Sequence, residues 1–389
     1  MTVSRRAAKD RDRLLVAVLR SLFDGASTSR AAAQLARLPS ADQIALLDRA
    51  RRLEVGPLIA RRLLEMDGLA PEAIAAARRI YGDNLARNLY LRAETKDWVG
   101  RLAVAGIPCR PLKGVGASLL LFDDLGARQS ADIDLLVRPQ DVQAAHALAV
   151  SRGFAPACLE YHVTDPDSKA IHLEPREVVA SYSIDLHWSI EMPRLVPIDH
   201  ADFWTEPPSA ASGMASGSAD AAPPLDLVGA LFAIHLWRHG ATLKTLVDFA
   251  AFVHRFDDRI PAIRCRLKPA GAAAGLDLAL ALAERVLGVR SRFARRRPVR
   301  SLALPWLERC LGRPFAERGP YFGWLVLPLE LDGALRPLRR LLGRVSRPVV
   351  RDDHLHLGLR LRRVGQVVKR VASRGEAHAA SSERPPVAD

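Results

Sequence analysis

Asp132 and Asp134 are separated by one residue and open the apolar run DIDLLV. Successive side chains of a strand alternate faces, so both carboxylates share one side while Ile133, Leu135 and Val137 point into a core. Two carboxylates fixed side by side repel each other unless a cation stands between them. Oxygen-liganded Mg²⁺ is the usual solution, and it commonly keeps substrate phosphates among its ligands. A turn suited to those phosphates lies upstream. Lys113-Gly114-Val115-Gly116 follows the proline-bearing apolar segment 107–112 and precedes the helical run 117–122. Glycine admits positive φ and lets the backbone approach a phosphate closely. The helix behind it presents free N–H groups at its start, and Lys113 adds a mobile positive charge. Each feature alone is common, since most DxD pairs are solvated turns or caps. Their order and spacing together point to metal-assisted phosphate chemistry.

Positioning these residues requires a strand end, a glycine turn, a helix, a loop and a second strand within 112–137. Beyond it, 139–150 reads as a helix with Pro139 in its first turn, ended by Gly153. Short strands are expected at 154–158, 162–164, 170–173 and 181–190. In the last, Asp185 and His187 share one face, and Ile184, Leu186 and Trp188 share the other. Asp185 either completes a metal site from a neighbouring strand or faces solvent on an edge strand. His162 and His172 are read as structural.

Lys113-Gly114, Arg128 and Asp132-Ile133-Asp134-Leu135-Leu136-Val137 together resemble the polymerase-β-like nucleotidyltransferase superfamily. The pattern is most similar to a poorly characterised bacterial branch reading LKG…R…DIDLLV. Ile184-Asp185-Leu186-His187-Trp188 resembles a further piece of that branch. So does His235-Leu236-Trp237-Arg238-His239 followed by Leu243-Lys244 and Val247-Asp248. The resemblance spans roughly residues 89–252. It implies that Asp132, Asp134 and Asp185 are the catalytic, metal-holding set, with Asp185 activating the attacking hydroxyl. Two Mg²⁺ ions are expected, with Mn²⁺ as the alternative. It implies nucleotide contacts from Lys113, Gly114, Gly116, Ser118 and Arg128. Lys244 would offer a cation to the triphosphate, unless it forms a surface ion pair with Asp248. The superfamily follows its glycine with serine or glycine, whereas Val115 stands here. Phosphate contacts must then come from backbone N–H groups, Gly116, Ser118 or Lys113. His187, His235 and His239 are accessory candidates. His235 and His239 form HxxxH without an internal glutamate, so no zinc site is read there.

The rest of the chain reads as helices. A helix covers 14–23, and Ser40-Ala41-Asp42-Gln43 is a capping box before 44–53. One helix starts at Pro71 and Glu72 and runs past Leu85. Another carries Leu89, Trp98 and Leu102 and ends at Gly106. The expected architecture is α+β, a small mixed β-sheet flanked by N-terminal and C-terminal helical regions. The boundaries are 1–106 helical, 107–205 core, 206–224 flexible linker, 225–372 helical and 373–389 disordered tail. Residues 357–371 form a basic amphipathic helix suited to a membrane surface or a partner.

The 389 residues carry a net charge of +14, much of it from arginines between 290 and 347. Such a surface attracts polyanions such as nucleic acid. Aromatics are not interleaved with the arginines as stacking on bases requires, so solvated helix faces are the competing reading. No apolar run is long enough for a transmembrane helix, and no signal-peptide core follows the N-terminus. The four cysteines are far apart, without metal-ligand spacing. A reduced, cytoplasmic protein follows. The function expected is transfer of a nucleoside monophosphate from an NTP, most simply ATP, to an unidentified hydroxyl acceptor with release of pyrophosphate. The alternatives are a DxD glycosyltransferase, or a non-catalytic scaffold binding RNA or protein. If the aspartates only repel one another before metal arrives, replacing any of them by Asn should leave the melting temperature level or raise it.

Overall fold

The computed structural model describes residues 5–156, 169–176, 181–191, 196–198, 201–204, 224–238, 241–295 and 304–311. Helices come first: α1 (Arg5–Arg20), α2 (Gly25–Leu35), α3 (Ser40–Arg52), α4 (Gly56–Leu64) and α5 (Pro71–Val104). The two helices expected after Pro71 are one helix of 34 residues. No proline interrupts it, and its buried residues Ala73, Ala77, Asn84, Asn88, Leu91, Trp98 and Leu102 keep a helical period throughout. Gly106, at φ +74°, turns the chain out of it. The capping box does not form: Pro39 is the N-cap of α3, and Ser40 donates to Glu72 instead. Gln43 turns inward. Its amide nitrogen donates to the carbonyls of Leu35, Leu38 and Gly68, and its oxygen accepts the N–H of Ala70. Buried loop backbone would otherwise lack partners.

The centre is a mixed sheet. Its strands are β1 (Cys109–Pro111), β2 (Asp132–Val137), β3 (Phe154–Pro156), β4 (Ala170–Pro175) and β5 (Ser183–His187), in the order β1-β2-β5-β4-β3. Only β2 and β5 run parallel; the other pairs are antiparallel. α6 (Val115–Phe122) joins β1 to β2, and α7 (Val142–Ser151) follows β2 after a 3₁₀ turn at Pro139–Asp141. The expected strand at 162–164 lies outside the described residues. The C-terminal helices are α8 (Leu225–Arg238), α9 (Leu243–Phe256), α10 (Ile260–Leu267), α11 (Ala273–Leu287) and α12 (Leu304–Leu311). The stretch 205–223 and everything after 311, including the basic amphipathic segment, lie outside the described residues. The architecture is α+β, a small mixed sheet between helical regions.

Alternation along β2 divides the burial. Ile133, Leu135 and Val137 join Ile184, Leu186, Leu173 and Trp188 in one core, against Trp98 and Leu102 of α5 and Val142 of α7. Each such side chain contributes about 1.5–3 kcal/mol. Leu136, on the carboxylate face, belongs instead to the larger helical core with Leu112, Ala117, Leu121, Leu246 and Phe249. The carboxylates therefore face the α6 and α9 side of the sheet. The helical regions also lock to each other: Arg20 of α1 donates to the carbonyls of Val286 and Arg285 at 2.6 and 2.9 Å. That satisfies acceptors which the end of α11 leaves free. No described helix is long and apolar enough to cross a membrane.

Candidate active site

Parallel pairing of β2 and β5 sets Asp134 directly beside Asp185, and Ile133 beside Ile184. His187 follows Asp185 by two residues and so lies on the same face. Asp134, Asp185 and His187 each bring one ligand atom within 4.8 Å of the others. Asp132 lies at the mouth of the strand, partly exposed, and is not in that group. The geometry thus includes His187, which the sequence marked as accessory, in place of Asp132.

Helix α5 holds this register. Arg87 donates to the carbonyls of Ser130 and Ala131, just before β2, and of Ser181, just before β5. Asn84 donates to Gly126 and Arg128, and Asn88, one turn on, to Leu125 and Arg128. Tyr81 donates to Asp124. One helix face therefore fixes the whole loop between α6 and β2. Sequence reading missed these residues. The available signal was two asparagines, poor helix formers, at i and i+4 inside a long helix.

Asp134 is 3 % exposed. Its Oδ1 lies 2.9 Å from Lys113 Nζ and 3.1 Å from His187 Nε2. Burial alone would raise the Asp134 pKa, but the Lys113 ammonium and the His187 hydrogen bond prevail and hold it well below the usual carboxylate range. Burial would likewise push Lys113 down, but Asp134 and then Asp132 keep it above its usual value. Asp132 is raised, first by the charge of Asp134 and then by burial. Beside the other carboxylate, His172 Nδ1 sits 2.5 Å from Asp185 Oδ1, and that hydrogen bond raises its pKa. The sequence reading left His172 as structural. The register makes it a neighbour of the site, because β4 pairs His172 with Asp185.

Gly114 has φ +66° and ψ −133°, a backbone that favours glycine. A Cβ there would stand 3.8 Å from both the Asp132 carbonyl and Asp134 Oδ2, so the turn passes close over the carboxylates. Gly114 is the N-cap of α6 and no side chain caps that helix, which leaves the first-turn N–H groups of Val115 and Gly116 on the turn. Two other nucleotide-contact candidates have structural partners instead. Ser118 is fully buried; its hydroxyl donates to Asp124 O at 2.6 Å and accepts the Arg128 N–H at 3.0 Å. Arg128 is 6 % exposed; its Nε reaches both Asp248 carboxylate oxygens at 3.0 and 3.1 Å, and its Nη1 donates to the Gly114 carbonyl. Asp248 therefore does not pair with Lys244.

Lys244, near the start of α9, has Glu54 Oε2 at 3.7 Å. Burial pushes the Lys244 amine down and Arg128 adds to this, while Glu54, Asp248 and Asp132 pull it back. Lys244 thus shares one carboxylate, Asp132, with Lys113. A family model described as "uncharacterised nucleotidyltransferase" matches residues 39–288, well over half of the chain. The chain belongs to that nucleotidyltransferase family. No curated protein and no solved structure matches it.

The family match begins just before α3, so helices α3, α4 and α5 of this nucleotidyltransferase fall within the same match as its sheet, whereas α1 and α2 precede it. Glu54 shows why that matters. It sits between α3 and α4 at φ +60°, unusual for a non-glycine residue, and extends toward Lys244. Nothing in its local sequence marks it. His235 lies on α8, and His239 is outside the described residues. Among the late arginines, Arg290 pairs with Glu284 and Arg292 with Asp257. A cavity of about 410 Å³ opens at the far end of α6, lined by Phe23, Arg61, Phe122 and His254 among others. It is away from the carboxylates, and Asp124 already holds Arg61.

Proposed function

We propose that this nucleotidyltransferase moves a nucleoside monophosphate from an NTP, ATP first among them, to a hydroxyl acceptor and releases pyrophosphate. The observation that carries this reading is the in-register pairing of Asp134 with Asp185 beneath the Lys113-Gly114 turn. Two carboxylates and an imidazole nitrogen within 4.8 Å fit a divalent cation. The oxygens suit Mg²⁺, and the imidazole extends the choice to Mn²⁺. His187 Nδ1 is buried without a hydrogen-bond partner, so that ring nitrogen is uncommitted. When bound, such an ion supplies charge neutralisation at the phosphoryl group and acidifies the attacking hydroxyl.

The remaining roles fall to the chain. Lys113 and Lys244 bring ammonium groups to the triphosphate, where fixed positive charge is most effective in a site shielded from water. The N–H groups of Val115 and Gly116, at the uncapped start of α6, receive phosphate oxygens as helix N-termini do. Gly114 lets that turn approach the carboxylates. Arg128 and Ser118 support the turn from beneath rather than touching nucleotide. Asp185 accepts the proton of the acceptor hydroxyl, with His172 holding its Oδ1. Asp132, at the mouth, is the carboxylate left for a second ion.

Isothermal titration with ATP tests the reading. Binding should be clear in Mg²⁺ or Mn²⁺ and greatly weakened in EDTA. Equal affinity under both conditions would remove metal-dependent nucleotide binding from the account.

A further inference from the structure

We propose that Lys113 is the resident counter-ion of the carboxylate site and exchanges with the divalent cation. Its ammonium leaves Asp134 when the metal binds and turns to the phosphates of the nucleotide. The inference rests on the nucleotidyltransferase reading and assigns this lysine a regulatory part in it.

Asp134 Oδ1 is already approached by two groups, Lys113 Nζ at 2.9 Å and His187 Nε2 at 3.1 Å. A carboxylate oxygen has two lone-pair sites, so both are in use. A cation that takes Oδ1 must displace one of them. His187 is fixed on β5, with only 5 % of its surface exposed. Lys113 sits outside any strand or helix, beside the glycine turn, on a flexible four-carbon stem. It is the group able to leave. It also has reason to leave, because an ammonium and a divalent ion on one carboxylate repel each other.

The destination is close. The turn that carries Lys113 passes within 3.8 Å, measured from a Cβ built on Gly114, of Asp134 Oδ2. A small rotation of the lysine side chain moves the charge from the strand to the phosphate side of the turn. The consequence is linkage between ligands. Metal alone must evict an ammonium that has no new partner. Metal with nucleotide gives that ammonium the phosphates. Each ligand then strengthens the other, by reciprocal factors. The lysine weakens the site's hold on a divalent ion that comes without its nucleotide.

The test titrates Mn²⁺ alone, followed by electron paramagnetic resonance of the free ion, into the wild-type chain, Lys113→Gln and Lys113→Arg. Lys113→Gln should bind Mn²⁺ at least about tenfold more tightly than wild type and Mn²⁺–ATP more weakly, whereas Lys113→Arg should show no gain for Mn²⁺. A second measurement needs no variant. Acetylation of Lys113 by acetic anhydride, read by mass spectrometry, should rise several-fold when Mn²⁺ alone is added to wild type. It should fall again when ATP follows. Equal Mn²⁺ affinity in wild type and Lys113→Gln overturns the exchange and leaves the nucleotidyltransferase reading standing. Acetylation unchanged by Mn²⁺ does the same, even where the variant fails to fold. Folded protein that binds no Mn²⁺ in any form overturns both.

Discussion

Asp248→Ala should destabilise the fold by about 3–5 kcal/mol in chemical denaturation, the usual cost of leaving one member of a buried ion pair without its partner. The side chains of Arg128 and Asp248 are 6 % and 3 % exposed, so water cannot replace the lost carboxylate. The pair also joins distant parts of the chain. Asp248 lies on α9, whereas Arg128 lies in the loop before β2, held at its backbone by Ser118, Asn84 and Asn88. Through its Nη1 bond to the Gly114 carbonyl, Arg128 carries this attachment to the phosphate turn. Asp248→Ala should therefore lose ATP affinity even at temperatures where it remains folded. The double variant Arg128→Met/Asp248→Met should recover most of the stability, because it removes the stranded charge, but not the nucleotide affinity. A single variant within 1 kcal/mol of wild type would show that the pair is not desolvated in solution.

The second large effect separates the two paired strands. Asp185→Asn should retain much of the ATP binding while nucleotidyl transfer falls by ~10²–10⁴-fold, the range for loss of a general base. Asp134→Asn should lose metal-dependent ATP binding itself, since its oxygen is shared by Lys113, His187 and the candidate cation site. Their stabilities should differ in an informative way. Repulsion between the aspartates, taken alone, predicts that Asn is neutral or stabilising at every position. The structure keeps that expectation for Asp132, whose carboxyl is pushed up by Asp134. It reverses it for Asp134, whose charge answers the buried Lys113 ammonium, so Asp134→Asn should melt lower without metal. Transfer at the wild-type rate in Asp185→Asn would move the base elsewhere, to His187 first.

What could be read from the sequence follows from what local pattern encodes. β2 begins at Asp132 and ends at Val137, as alternation predicts, because one face of that strand is wholly apolar and the other carries the charges. The glycine turn, the helix after it and the shared face of Asp185 and His187 are similarly local. The partners of Arg128, Ser118 and Lys244 are not. Arg128 and Asp248 are 120 positions apart, and no periodicity links them. An arginine inside a nucleotidyltransferase-like pattern invites a phosphate contact, and only burial reveals a structural partner. Gln43 shows the same limit at a helix start. Its type and spacing fit a capping box, yet buried loop carbonyls claim its amide. Glu54 and His172 reach the site through tertiary placement alone.

The central claim is that the α-phosphoryl group of a nucleotide is what this site transfers. Cell extract incubated with the protein, Mg²⁺ and either α-labelled or γ-labelled ATP tests it most directly. The account predicts an acceptor that gains the α label together with free pyrophosphate carrying the γ label, with both signals lost in Asp134→Asn. An acceptor that gains the γ label instead would contradict it.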